Sequence, residues 1–213
     1  DLHSFPTRRS SDLFVRSLEP FALSDALLEA LGESPVFCPH LHLPLQSGDD
    51  GVLSRMRRGY TADDFAQVCS RARERLGDDL HISSDVLVGF PGEDESAFGN
   101  TLRLMRRAGI GRAHVFPYSP RRGTPAASFE GRVSPAALSD RAAEAAALGN
   151  ELLDAYAARF VGRTLPILPE GGRCSGYTPH FLPAAWEGGA EVGRSVRLRI
   201  DSASGGELRG CPV

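Results

Sequence analysis

The chain reads as an α/β protein, a parallel sheet wrapped by helices, followed by a small all-β module. Three observations predict this. Apolar strand-like runs alternate with helical patterns from about residue 14 to 160. Each strand-like run ends in a polar, Gly- or Pro-rich loop: QSGDDG, PGED and SPRRGT. After Phe160 helical periodicity stops, and short β-like runs broken by Gly and Pro take over.

The elements follow in order. Asp1–Leu13, DLHSFPTRRSSDL, has no apolar periodicity. Back-translated, it resembles a common sequencing adaptor, so residues 1–13 are set aside as an expected cloning or assembly artefact. Ser24 caps a short helix with Leu27, Leu28 and Leu31 on one face. CPHLHLPLQSG is a strand entering a loop, stopped by Pro44 and Gly48, and its His40 and His42 share a face. Thr61 opens a helix with acids in its first turn, and Phe65, Val68, Ala72 and Leu76 recur at helical spacing up to Gly77. HISSDVLVGF has the unbroken apolar end of a buried parallel strand. A helix over Glu95–Ala108 closes at Gly109, RAHVFPYS is a further strand, and an Ala-rich helix runs from about Pro135 to Phe160. TLPILPE, SGYTPHFLPAAWE, RSVRLRI and ELRGC form the β module, with the boundary at Val161–Thr164.

Composition excludes little. Hydrophobic content of 41%, charged content of 24% and a net charge of −3 are ordinary for a soluble globular chain. All 24 basic residues are Arg, which GC-rich codon usage explains. The four Cys (Cys38, Cys69, Cys174, Cys211) lie far apart, with no CxxC or CxxxCxxC, as scattered cytosolic thiols do. Two His at spacing two without a third ligand favour polar strand-end packing over metal.

In parallel α/β folds ligands bind at the carboxyl ends of the strands. Gln46 and Ser47 there are short hydrogen-bonders, and Gly48 permits close backbone approach. The alternative is a plain βα turn, and the Arg55, Arg57, Arg58 cluster beside it is a solvated helix end or a phosphate contact. The turn after Val88, at Gly89, Pro91 and Gly92, is a nucleotide cradle or a tight turn into a helix capped by Glu93 and Asp94. Phe116 and Tyr118 beside Arg121 and Arg122 suit base stacking with backbone contact, or a hydrophobic plug with a solvated turn.

Taken together, SLEP, LHLPLQSG, SSDVLVGFPGE and HVFPYSPRRGTPA, in that order and spacing, resemble the radical S-adenosylmethionine tRNA methylthiotransferases. SLEP and HVFPYS are similar to the threonylcarbamoyladenosine branch; the isopentenyladenosine branch is the close alternative. The resemblance implies strands 3–6 of a partial radical-SAM (β/α)6 TIM-like barrel over residues 14–162, then a TRAM-like (OB-like) tRNA-binding β-barrel over 163–213. It implies S-adenosyl-L-methionine and two 4Fe-4S clusters in the intact enzyme, with tRNA and an electron donor as partners, in the cytoplasm. The six cluster-binding Cys positions have no counterpart in this chain, which is therefore expected to be inactive alone. By the same resemblance Ser17, Glu19, Gln46 and Ser47 are polar contacts at strand ends, and Val88, Gly89, Phe116 and Tyr118 surround an adenosyl group or substrate base. Arg121, Arg122, Arg194, Arg197 and Arg199 are the candidate RNA contacts, with Arg197 and Arg199 on one strand face. From Arg163 onward six Arg stand against five acids, so phosphate neutralisation by the module is expected to be modest. A rival reading is a non-catalytic RNA-binding fragment.

Overall fold

The computed structural model describes residues 13–15, 18–170, 174–189 and 194–213, with only the backbone of Phe14. Ser17 lies outside the described residues. The first unit is a four-stranded, all-parallel sheet in chain order: β1 (Leu13–Val15), β2 (Phe37–His42), β3 (His81–Val88) and β4 (Arg112–Pro117). Leu13 thus takes part in β1, where its N–H donates to the Val36 carbonyl. Helices α1 (Asp25–Glu33), α2 (Asp50–Arg55), α3 (Ala62–Leu76) and α4 (Glu95–Arg107) lie in the crossovers between successive strands, and α5 (Pro135–Ala158) follows β4.

Local chemistry sets the helix starts. Ser24 accepts from the Leu27 N–H at 3.2 Å, and Asp94 accepts from the Ala97 N–H at 2.8 Å. Thr61 and Asp64 form a reciprocal capping box, whose hydrogen bonds hold the Asp64 carboxyl below its ordinary range. Ser134 caps α5, with Pro135 at its first turn.

One face of the sheet is apolar. Leu41, Ile82, Val86 and Val88 pack with Leu28, Phe65, Phe98, Met105 and Leu148 of the helices in one buried cluster. Each fully buried Leu, Ile or Phe contributes about 1.5–3 kcal/mol. The other face is polar along its middle. His40 Nε2 and His42 Nδ1 both meet Ser83 Oγ, at 2.8 and 3.0 Å. His42 Nε2 lies 3.3 Å from Asp85 Oδ2, and His114 of β4 stands opposite Asp85 in the register. The side-chain period of two thus divides β3 into helix-facing Ile82, Val86 and Val88 and a polar row of His81, Ser83 and Asp85.

The second unit is a closed five-stranded barrel in the order β5–β6–β7–β9–β8. Its strands are β5 (Thr164–Pro169), β6 (Ser175–Tyr177), β7 (Pro183–Trp186), β8 (Val196–Ser204) and β9 (Glu207–Pro212). All pairings are antiparallel except β7–β9, which is parallel. Leu165, Ile167, Leu182, Ala184, Trp186, Leu198, Ile200 and Leu208 fill it.

The two units meet at the amino end of β3. The His81 ring stacks on Tyr156 of α5, with centroids 4.5 Å apart. His81 Nδ1 is 2.7 Å from the His180 carbonyl of the barrel, and the His180 ring lies against Phe160. The Tyr156 hydroxyl donates to the Asp79 carbonyl at 2.7 Å, and Arg159 and Arg163 both pair with the Asp79 carboxylate. A Cβ at Gly111 would sit 2.5 Å from the His81 ring, so only glycine lets β4 pass this stack. Burial pushes both His81 and His180 down to about 4, which keeps these two imidazoles uncharged at neutral pH.

Candidate functional site

The carboxyl ends of β2, β3 and β4 are shaped by the loop Leu43–Gly48. β2 ends at His42, close to the expected stop at Pro44, which has no N–H to give to the ladder. The chain nevertheless stays beside β3. The Leu43 and Gln46 N–H groups donate to the Ser83 and Asp85 carbonyls at 2.9 and 2.8 Å, and the Leu87 N–H donates to the Gln46 carbonyl at 2.8 Å. The Ser84 hydroxyl clamps the loop from below, donating to the Leu43 carbonyl and accepting from the Leu45 N–H. The Tyr60 hydroxyl donates to the Pro44 carbonyl at 2.9 Å, and burial pushes its pKa up to about 12.

Within this clamp the Ser47 N–H bonds the Leu45 carbonyl at 2.8 Å, making a three-residue turn centred on Gln46. Gln46 has φ 62, the left-handed region that a non-glycine residue rarely occupies. Such a conformation costs on the order of 1–3 kcal/mol and is held by its surroundings. Its result is that Gln46 lines the cleft.

That cleft has a volume of about 540 Å³. Among the sequence-predicted residues it brings together Gln46, Phe116, Tyr118 and Arg121. Arg58, Asp85 and Leu87 complete the wall nearest the sheet. Glu19 reaches it indirectly, accepting from Arg58 at 2.9 Å. Phe116 is 50% exposed although it lines a concave surface. Tyr118 stands edge-on to Phe90 at 5.3 Å, and its buried hydroxyl has no hydrogen-bond partner. Phe90 also holds Phe129 edge-on, which ties the loop after β4 to the floor of the cleft.

Other predicted residues lie elsewhere. Ser47 is fully buried, with its hydroxyl 3.4 Å from that of Thr101 and accepting from the Asp49 N–H. The Val88 side chain belongs to the helix-facing core. Gly89, at φ 76, donates its N–H to Glu93 Oε1 at 2.8 Å, and an added Cβ would lie 2.2 Å from Leu138 of α5. Glu93 is buried and paired with Arg141 at 2.9 Å; burial raises its pKa, against the opposing pull of the Gly89 N–H and Arg141. The turn after β3 therefore closes on its own carboxylate. Arg122 is exposed beyond the cleft lining. Arg197 and Arg199 are exposed on one face of β8, and Arg194 is exposed just before it.

Sequence reasoning missed Asp85. The signal was present: His81, Ser83 and Asp85 recur at spacing two within HISSDVLV, marking one face of a strand as polar. It also missed α2, a single short helix capped by Asp49.

The described thiols do not fit an iron–sulfur cluster. Cys69 is buried on the core face of α3, with its pKa pushed up to about 12, whereas a cluster takes thiolates. Cys174 donates to the Gly188 carbonyl of the barrel, and Cys211 is exposed on β9. No three His, Cys, Asp or Glu among the described residues are grouped as metal ligands. No helix among the described residues is long and apolar enough to cross a membrane.

A parallel sheet with its cleft at the strand carboxyl ends is common to many α/β folds, and residues 16–105 match the Radical SAM superfamily. A chain of known structure described as coproporphyrinogen III oxidase (HemN) from Escherichia coli, a Radical SAM enzyme, shares the fold with a TM-score of 0.56 at 20% identity, over 68% of this chain and 33% of that one. The Radical SAM match covers 90 of the 213 residues, and the similarity to this superfamily is that of residues 16–105. Curated proteins similar to the chain include tRNA methylthiotransferases. It is 41% identical over 186 residues to the tRNA-2-methylthio-N(6)-dimethylallyladenosine synthase of Parafrankia sp. (strain EAN1pec), covering 86% of this chain and 36% of that protein. It is 35% identical over 195 residues to the threonylcarbamoyladenosine tRNA methylthiotransferase MtaB of Bacillus subtilis (strain 168), covering 87% of this chain and 43% of that protein. The chain thus spans less than half the length of either relative.

Proposed function

We propose that this chain is the substrate-positioning part of a tRNA methylthiotransferase, in which S-adenosylmethionine-dependent radical chemistry places a methylthio group on C2 of a hypermodified adenosine. The observation that carries this reading is the homology to such enzymes over 86% of the chain. The cleft at the strand carboxyl ends supports it. Cofactors of this class supply the radical chemistry when bound, while protein groups position ligands and exclude water. Here Gln46 and Asp85 offer hydrogen bonds, and Phe116 and Tyr118 offer ring faces. The described residues do not supply a cluster site, so no step is assigned through one, and the chain alone is expected not to turn over. The 163–213 barrel is the proposed tRNA-binding TRAM module; its order, with the fifth strand between the third and fourth, suits an OB-like barrel.

SLEP and HVFPYS favour threonylcarbamoyladenosine as substrate, and the 41% identity to a dimethylallyladenosine synthase favours the second reading equally. A chimera separates them. Residues 14–213 replace the matching segment of the Bacillus protein, and the chimera is expressed in a host lacking both activities. Mass spectrometry of tRNA nucleosides should show a methylthio group on one of the two adenosines. A soluble chimera with its clusters loaded that modifies neither would overturn the proposal.

A further inference from the structure

The β6–β7 turn of the barrel carries a residue that its backbone does not favour. The Thr178 N–H donates to the Leu182 carbonyl at 2.9 Å, and the Phe181 N–H donates to the Thr178 carbonyl at 3.0 Å. The Thr178 hydroxyl also accepts from the Leu182 N–H at 3.1 Å. A three-residue hairpin loop closed in this way ends in a left-handed residue, a position that suits Gly or Asn. The residue there is Phe181, at φ 60. A bulky side chain at positive φ is an outlier that persists only when its surroundings hold it. Part of those surroundings lies in the other unit. The Phe181 ring stacks on Tyr177 of its own hairpin, with centroids 5.1 Å apart, and on His40 of β2, at 5.0 Å. His40 is buried and fixed by Ser83 Oγ at 2.8 Å, so it offers a rigid seat. The adjacent His180 carbonyl accepts from His81 Nδ1 of β3 at 2.7 Å. Two successive residues of the turn thus grip two neighbouring strands of the sheet.

We propose that the β6–β7 turn is an orienting latch, and that Phe181 is the positioning residue that holds the barrel on the sheet in one orientation. The hairpin alone calls for Gly or Asn at this position, so the sequence gives up local backbone comfort for a ring that reaches the sheet. Two units of one chain move relative to each other unless a large apolar interface joins them. This seam is built largely of imidazole and phenol groups, and a stacked ring adds the directional contact that such a seam needs. The latch rests on these contacts alone. Its use rests on the function proposed above: it fixes the span between the Arg197 and Arg199 face of β8 and the cleft, so that an RNA held at the first presents its base to the second.

The test uses the full chain with one spin label on Cys211 of β9 and another on Ser70→Cys of α3, both exposed positions. Cys174→Ser removes the remaining accessible thiol, since Cys38 and Cys69 are buried. Pulsed dipolar spectroscopy should give one narrow distance distribution when residue 181 is Phe, and the same for Phe181→Tyr, which keeps the ring. Phe181→Asn fits the left-handed backbone and removes the ring. It should broaden the distribution by about twofold or more. Amide exchange of the barrel strands is the control for folding, and in Phe181→Asn it should be unchanged or slower, because the turn loses its strain. A narrow distribution in Phe181→Asn overturns the inference, as does a broad one in the unsubstituted position or in Phe181→Tyr. Faster exchange of the barrel in Phe181→Asn overturns it too, because the ring would then hold the barrel itself together. None of these outcomes bears on the methylthiotransferase reading, which its chimera decides.

Discussion

The polar face of the sheet ends in two opposite environments. At the amino end of β3, His81 is fully buried, stacked on Tyr156 and bonded to the barrel. At the carboxyl end, about 13 Å further along the strand at Asp85 and about 20 Å at the level of Phe116, Asp85, Phe116 and Tyr118 line the cleft. One end uses aromatic and imidazole groups to join two units, and the other leaves aromatic rings and a carboxylate facing a cleft. The difference teaches that residue type does not separate glue from site on this face. What separates them is whether the neighbouring element covers the groups, and α5 with the barrel covers only one end.

If the seam is structural, its removal should produce the largest effect. Tyr156→Ala deletes a buried ring and its bond to Asp79, costing about 3–5 kcal/mol. A fall in melting temperature of about 10 °C is expected; a shift below 2 °C would show that the two units stand independently. Acid should act on the same end. His81 and His180 have folded pKa values of about 4, below the ordinary 6.5. The unfolded chain therefore binds more protons between these values, so stability is fully present above about pH 6.5 and declines as pH falls toward 4. A drop of about 5–10 °C between pH 7 and 4 is expected in melting scans, and it should shrink in His81→Phe. At the open end the ordering reverses. Phe116→Ala should leave the melting temperature within about 2 °C, since the ring is half exposed, yet reduce adenosine binding several-fold. The smallest effect belongs to the outer face of the barrel. tRNA affinity should fall with salt on a log–log slope of about −1 to −3, and Arg197→Ala with Arg199→Ala should flatten it by about one to two without changing stability.

The alternation of strands and helices was legible because each element carries its own period and cap, as Thr61 with Asp64 and Ser24 show. α2 was not, since six residues are too few to display a helical stripe. Gln46, Phe116, Tyr118 and Arg121 were legible as strand-end residues followed by a turn. Asp85 was not, because HISSDVLVGF reads as a run buried on both faces unless its alternate positions are separated. The same counting puts Val88 with Val86 and Ile82 on the helix side. The seam has no local signature. His81 and His180 stand 99 positions apart, and nothing in TPHF announces that its carbonyl meets an imidazole of the sheet.

The parallel pairing of β9 with β7 has a consequence for how the protein is made. Hairpins can form β5 with β6, β6 with β7 and β8 with β9 as each emerges, but the ring closes only when β9 inserts between β7 and β8. During synthesis residues 163–206 must wait, unclosed, until residues 207–212 have left the ribosome. Over that interval Leu198, Ile200 and the rings of Tyr156 and Phe160 lack their final cover. A nascent chain paused at this point presents an open sheet edge, and such an edge is where a chaperone or a second nascent chain would attach.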